Sequence, residues 1–268
     1  MTRTHDRNQP ETEPWVLTRQ GYEAMHRGLQ SGGGLLGFKA RAAGLDVEAA
    51  LGSAPDGIVD VTPTGVAVIP IAGSLTARAY WPTDRASYEW IGSQLRSALR
   101  DPMVQRVVLN VDSPGGQVTG ADALAAEIYA ARDVKPVHAF VQGQAASAAY
   151  WLASAAEQIF AGRTSMLGSI GVIWTFTDWS AYDATVGVQE IDIVSSQSPD
   201  KAVDPTTRTG RAKIQATVDQ LAGVFVADVA RNRDVAEATV VSDFGQGWVL
   251  VGASAVDAGL ADGITTFE

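Results

Sequence analysis

Two segments of similar construction decide the fold: RVVLNVDSPGG, residues 106–116, and PVHAFVQGQAASAAY, residues 136–150. Each opens with a short apolar, β-branched run of the kind that forms a strand buried on both faces, and each run ends in a glycine-rich turn. Helical spacing follows both turns, over Gly120–Arg132 and from about Ala145 to Ala156. The same alternation continues outward. Val66–Ala72, ended by Gly73, predicts a strand, and Arg85–Arg100 a helix through the spacing of Trp90, Ile91, Leu95 and Leu99. Further strands are predicted at Gln158–Ala161, Gly168–Ile173 and Val188–Val194. Strands alternating with helices predict an α/β fold of βαβ units with right-handed crossovers and a largely parallel sheet.

Beyond this core the pattern weakens. Residues 1–14 are polar and aperiodic, and read as a mobile tail. Trp15–Leu29 predicts a short helix ended by the glycines at 32–34, and Gly44–Thr64 a connector rich in Gly, Pro, Asp and Ala. Residues 1–64 are thus expected to be a peripheral tail, helix and connector, with the main domain over 65–268. Late in the chain, Ile214, Val218, Leu221, Phe225 and Val229 form a long amphipathic stripe that fits either core packing or a subunit contact. Ala253–Ala258 predicts a last helix, with Gly259 as its C-cap.

Composition excludes several function classes. Of 268 residues, 46% are hydrophobic and 19% charged, which is the balance of a globular chain with a real core. A net charge of −10 supplies no basic footprint for nucleic acid. There are no cysteines and only three histidines, His5, His26 and His138, so neither a thiolate nucleophile nor a multi-histidine metal site is expected, and no cofactor is implied. No apolar run approaches the roughly 20 residues that span a bilayer, and the polar N-terminus does not read as a signal peptide. A soluble, cytoplasmic chain is the expectation.

Parallel strands would bring the two glycine-rich turns to one sheet edge, where ligands of open α/β sheets bind. Asp112-Ser113-Pro114-Gly115-Gly116 fits an ordinary turn, or a turn whose unhindered N–H groups face an anion or a carbonyl oxygen. Ser147 stands among four alanines at a helix start, and fits either a packing helix with a capping serine or a nucleophile. Together the two turns allow more. Ser147 Oγ could attack a carbonyl carbon whose oxygen is held by the N–H groups of Gly116 and Ala148, the arrangement acyl transfer requires. A base is harder to find. His138 lies mid-strand, Lys135 begins the same strand, Lys39 precedes the core and Lys213 falls on the long helix. Elimination leaves Lys201, in the loop SSQSPDKAVDP at 195–205, as either a catalytic base or a solvated loop lysine.

The motifs IPIAGSL, LNVDSPGG, AASAAYWLASAA, GSIGVI and VGASAVDAGLADGI, in this order and spacing, resemble the SppA-like serine peptidases. That group contains bacterial signal peptide peptidase A and the head-maturation (prohead) proteases of tailed phages. The resemblance covers about Gly65 to Thr266 and implies a Clp-protease/crotonase-like spiral. It also implies a Ser–Lys dyad of Ser147 and Lys201, with Ser169 of GSIGV holding the lysine by a hydrogen bond and Gly115 and Gly116 as the oxyanion turn. Lys201 precedes Pro205 by one position fewer than is common in the family. The segment EPWVLTRQGYEAM, residues 13–25, looks like the phage enzymes. The resemblance therefore implies an endopeptidase cleaving capsid or scaffold precursors, with signal-peptide degradation as the alternative. It also implies a homo-oligomer, a closed ring in which a neighbour completes each dyad. An inactive structural homologue and an acyl-CoA enzyme of the crotonase type are the competing readings.

Overall fold

The computed structural model describes residues 15–17, 61–78 and 86–266. Five strands form the parallel spine: β2 (Val66–Leu75), β3 (Arg106–Gln117), β4 (Val137–Ala146), β5 (Gln158–Ala161) and β8 (Gly263–Ile264), lying side by side in that order. The crossovers are helical: α1 (Tyr88–Arg100) between β2 and β3, α2 (Ala121–Ala131) between β3 and β4, and α3 (Ala148–Ser154) between β4 and β5. β6 (Met166–Gly168) also runs parallel to β4, beyond the point where β5 ends, and β7 (Val249–Val251) pairs antiparallel with β6. The expected α/β architecture with a parallel sheet is present.

The elements form where residue chemistry dictates. β3 buries Val107, Leu109 and Val111, and β4 buries Val137, Ala139 and Val141, so the period-2 apolar rows of adjacent strands face one core. α1 is capped by Ser87, whose hydroxyl accepts the Trp90 N–H, and it buries Ile91, Leu95 and Ala98 against the sheet. Lys135 closes the same helix from its other end by donating to the carbonyls of Ala98 and Asp101, at 2.9 and 2.6 Å. That fixes its role as a C-terminal cap. His138 packs in β4 opposite Val108 and beside the Phe160 ring, as a structural histidine.

Several expectations are corrected. Asp112–Gly116 does not leave the sheet as a turn but continues β3 to Gln117, because β2 follows it there through Ser74↔Gly115 and Leu75↔Gly116. The alanine-rich helix begins at Ala148, since Ala145 and Ala146 still pair with β6. Gly168–Ile173 is strand only at Gly168, the last residue of β6. Val188–Val194 forms no strand, and Val188, Ile191 and Ile193 face solvent. Trp15–Leu17 is a strand (β1) that joins the main sheet, antiparallel to β3. The rest of the helix expected over Trp15–Leu29, the tail 1–14 and the connector up to residue 60 lie outside the described residues.

The last third is the expected long helix, α5 (Arg208–Arg233), followed by α6 (Glu237–Asp243) and α7 (Ala253–Asp257). The C-terminal end of the α5 stripe enters the core, and Leu221 packs against it. Phe225 and Val229 are buried, whereas Ile214, Val218 and Leu221 are half-exposed. Gly259 has the left-handed φ of 91° expected after a helix end.

Candidate active site

The site is assembled where β3 and β4 part. Their register runs Val111↔Val141 and then Ser113↔Ala145, so β4 spends four residues where β3 spends two. This bulge is pinned by Asp112, whose Oδ1 accepts the Gln144 N–H at 3.1 Å. Gly143 leaves the space the carboxylate needs, because a Cβ there would collide with Asp112. Sequence placed Asp112 in the glycine-rich turn, but neither the bulge nor the residue's role in pinning it was foreseen. The signal lay in the glycine between two glutamines, a bulge marker inside a strand.

Beyond the bulge the chain turns sharply. Ser147 has φ 57° and ψ −124°, a conformation rare for any residue with a side chain. Strain of this kind costs on the order of 1–3 kcal/mol and persists only where surroundings enforce it. Here they do: the Ser147 N–H donates to the Gly168 carbonyl at 2.7 Å, and its carbonyl accepts the Trp151 N–H at 3.0 Å. Ser147 is buried, and its Oγ has no hydrogen-bond partner among the described residues. A serine on a strained strand-to-helix turn with an uncommitted hydroxyl has the geometry of a nucleophile elbow. As the first residue of α3, Ala148 carries an N–H with no intrahelical acceptor.

The helix that begins there is locked in place. Every residue of α3 is buried. The Trp151 ring stacks on Phe225 of α5 at 4.4 Å, and its indole N–H donates to Asp228 at 2.9 Å. Tyr150 donates its hydroxyl to the Leu260 carbonyl, and burial pushes its phenol well above the usual range. Ser154 Oγ accepts from Asn232 at 3.0 Å.

The glycine edge facing this elbow is equally determined. Ser113, buried, donates its hydroxyl to the Gly73 carbonyl at 2.6 Å and accepts the Gly115 N–H at 3.1 Å. The Gly115 N–H is thereby committed, and that residue contributes its φ of 104° to the shape of the edge. Gly116 sits so close to β2 that a Cβ would collide with the Leu75 carbonyl.

Ser169 lies next to this arrangement through Gly168, also at positive φ (53°), with its N–H given to the Trp248 carbonyl at 2.8 Å. Ser147, Ser169 and the Gly115–Gly116 edge therefore share one region. Lys201 does not join them within the chain. It lies in an exposed turn where its N–H donates to the Ser198 carbonyl. The adjacent Asp200 pairs with Lys213. Among the described residues no group of three or more His, Asp or Glu is placed to hold a metal ion.

Fold and site together define an α/β protein with a strained, buried serine at the start of α3 and a glycine-rich end on the adjacent strand β3. The chain belongs to peptidase family S49, whose model matches residues 130–268 and so includes Ser147, Ser169 and Lys201. It is 34% identical over 204 residues to "Capsid assembly protease C" of Escherichia phage lambda, covering 74% of this chain and 46% of that protein. It is also 34% identical over 206 residues to "Head-tail preconnector protein GP5" of Enterobacteria phage P21, covering 74% and 40%. "Protease 4" of Salmonella typhi is 32% identical over 181 residues, covering 66% and 29%. The chain thus spans less than half the length of these relatives. Among the described residues no helix is long and apolar enough to cross a membrane.

Proposed function

We propose that this chain is a serine endopeptidase of the Clp-protease/crotonase-like fold, its peptidase unit lying within 65–268, that cleaves capsid or scaffold precursors during phage head assembly. The observation that carries the peptidase reading is Ser147: buried, strained, with an unclaimed Oγ at the start of α3. In the proposed reaction Ser147 Oγ loses its proton to a neutral lysine amine as it attacks the scissile carbonyl carbon. The N–H groups of Gly116 and Ala148 receive the oxyanion. The lysine returns the proton to the departing amine, and water then hydrolyses the acyl-serine by the reverse sequence.

Lys201 is the proposed base, supplied by a neighbouring copy in a cytoplasmic or procapsid homo-oligomer, with Ser169 holding its amine. An exposed lysine is cationic and cannot accept a proton; desolvation under apolar surface is what produces a neutral amine. The segment 171–207 carries that surface, including Ile191 and Ile193, 74% and 95% exposed. It runs past a groove lined by Ile173, Phe176, Pro205, Ile214 and Val218. Covering these residues with a second copy would remove the apolar exposure and dry the lysine together. The likeness to "Putative signal peptide peptidase SppA" of Enterococcus faecium supports a second reading of the substrate, signal peptides, for the same site.

The test mixes two inactive variants, Ser147→Ala and Lys201→Ala, after dissociation and reassembly. Return of activity is the expected result, because some interfaces pair an intact serine with an intact lysine. A mixture that stays inactive while each variant assembles normally would place the dyad within one chain. Incubation with capsid and scaffold precursors, and separately with signal peptides, followed by fragment mass spectrometry, separates the two substrates.

A further inference from the structure

β3 has two edges, and at Gly115–Gly116 both are taken. β2 lies along one through Ser74↔Gly115 and Leu75↔Gly116. β4 lies along the other only as far as Ser113↔Ala145, where it leaves for Ser147 and α3. The edge it vacates is covered by β1, antiparallel, through Leu17↔Gly115, Val16↔Gly116 and Trp15↔Gln117. β1 therefore lies on the Ser147 side of β3, against the glycine that faces the elbow.

A peptide that presents a carbonyl to Gly116 and Ser147 must approach along this same edge. Extended peptides bind such an edge by adding a strand, with main-chain hydrogen bonds giving affinity. Two strands cannot share one edge of β3 at the same residues. We propose that Trp15–Leu17 is a resident occupant of the track an extended substrate must use, so that substrate binds only after displacing the chain's own segment. The proposal rests on the peptidase reading and adds a regulatory contact to the same site. A ladder of three residues is short, so a longer substrate strand can replace it, and the contact sets a threshold for binding.

The experiment uses the full chain and the variants Val16→Pro and Leu17→Pro. Successive residues of an antiparallel strand alternate between facing the partner and facing away, so one of these prolines removes a ladder N–H. In that variant hydrogen exchange over 115–117 should accelerate. KM for an extended fluorogenic peptide should fall about tenfold with kcat unchanged, as expected for a site previously filled roughly nine-tenths of the time. A synthetic peptide of residues 12–20 should inhibit the same variant competitively. Equal exchange and equal KM in all three proteins would overturn the proposal. Labelling of Ser147 by a fluorophosphonate is the separate control. No labelling in any of the proteins defeats the peptidase reading, whereas labelling with unchanged exchange and KM defeats only the resident strand.

Discussion

Ser147 and Lys201 sit in opposite surroundings. Around Ser147, the backbone N–H and carbonyl are bonded, the following helix is buried on every side, and the glycine edge tolerates no added carbon at Gly116. Around Lys201 the chain from 171 to 207 is largely exposed, irregular apart from α4 (Ser180–Val186), and carries Ile191, Ile193, Trp179 and Tyr182 on its surface. The first region is complete within one chain. The second exposes apolar side chains, a surface of the kind that marks association sites. On the proposed reading, the nucleophile and the oxyanion edge would be fixed by intramolecular folding and the base supplied by assembly.

The largest test of this contrast is Ser147→Ala. Activity should fall by about 10⁴-fold or more, the scale seen when a catalytic serine is removed. Stability should rise rather than fall, by about 1 kcal/mol, because an unpartnered buried hydroxyl is lost. A chemical denaturation curve measures the second effect; a clear loss of stability would mean that the hydroxyl has a structural bond after all.

Gly116→Ala attacks the other half of the same region. The new methyl meets the Leu75 carbonyl, so β2 and β3 must separate at the proposed oxyanion donor. We expect a drop in kcat of about 10²–10³, the cost of misplacing one such donor, with KM changed less. Equal kcat in a folded variant would remove this edge from the site.

These two positions also show what could be read from sequence. The glycine pair and the alanine-flanked serine were legible because close backbone approach leaves only small residues possible there. Lys201 was reached by elimination and by resemblance, with no local pattern behind it. The role of Asp112 was not legible because it depends on a β4 bulge that only pairing with β3 reveals. The alternation over Val188–Val194 predicted a strand, yet a strand needs an edge to bond, and these residues pair with none of the described strands.

The exposed region is tested by Ile193→Asp. In an isolated chain a substitution at a side chain this open should change stability by no more than about 0.5 kcal/mol. At a subunit contact, removing a buried apolar anchor costs about 2 kcal/mol, or roughly thirtyfold in association. Light scattering and activity against protein concentration should therefore shift together, while the dissociated chain melts as before. Unchanged assembly would mean that this face is not the interface.

The smallest effect on activity belongs to the ion pair that ties α5 to the end of the chain. Asp262 accepts from the Arg233 guanidinium at 2.8 and 3.0 Å and from the Ile159 N–H at 2.7 Å, while Arg233 also bonds the Gly259 carbonyl. Partial burial pushes the Asp262 carboxyl up, but the bonds from Arg233 and Ile159 outweigh it and hold the group below its usual range. A carboxyl whose folded value is depressed adds stability above its unfolded value, about 3.9, and loses it as pH falls through the folded value. Asp262→Asn should therefore cost about 2 kcal/mol at neutral pH, less than the roughly 3–5 kcal/mol for breaking a fully buried pair, because the carboxylate is one-third exposed. The gap between parent and variant should close as the pH drops below about 4. Turnover below the melting transition should be unchanged, since the pair braces the body of the fold and contacts neither Ser147 nor Gly116. Denaturation curves at several pH values measure this; a gap that persists in acid would assign the loss to altered packing instead of charge.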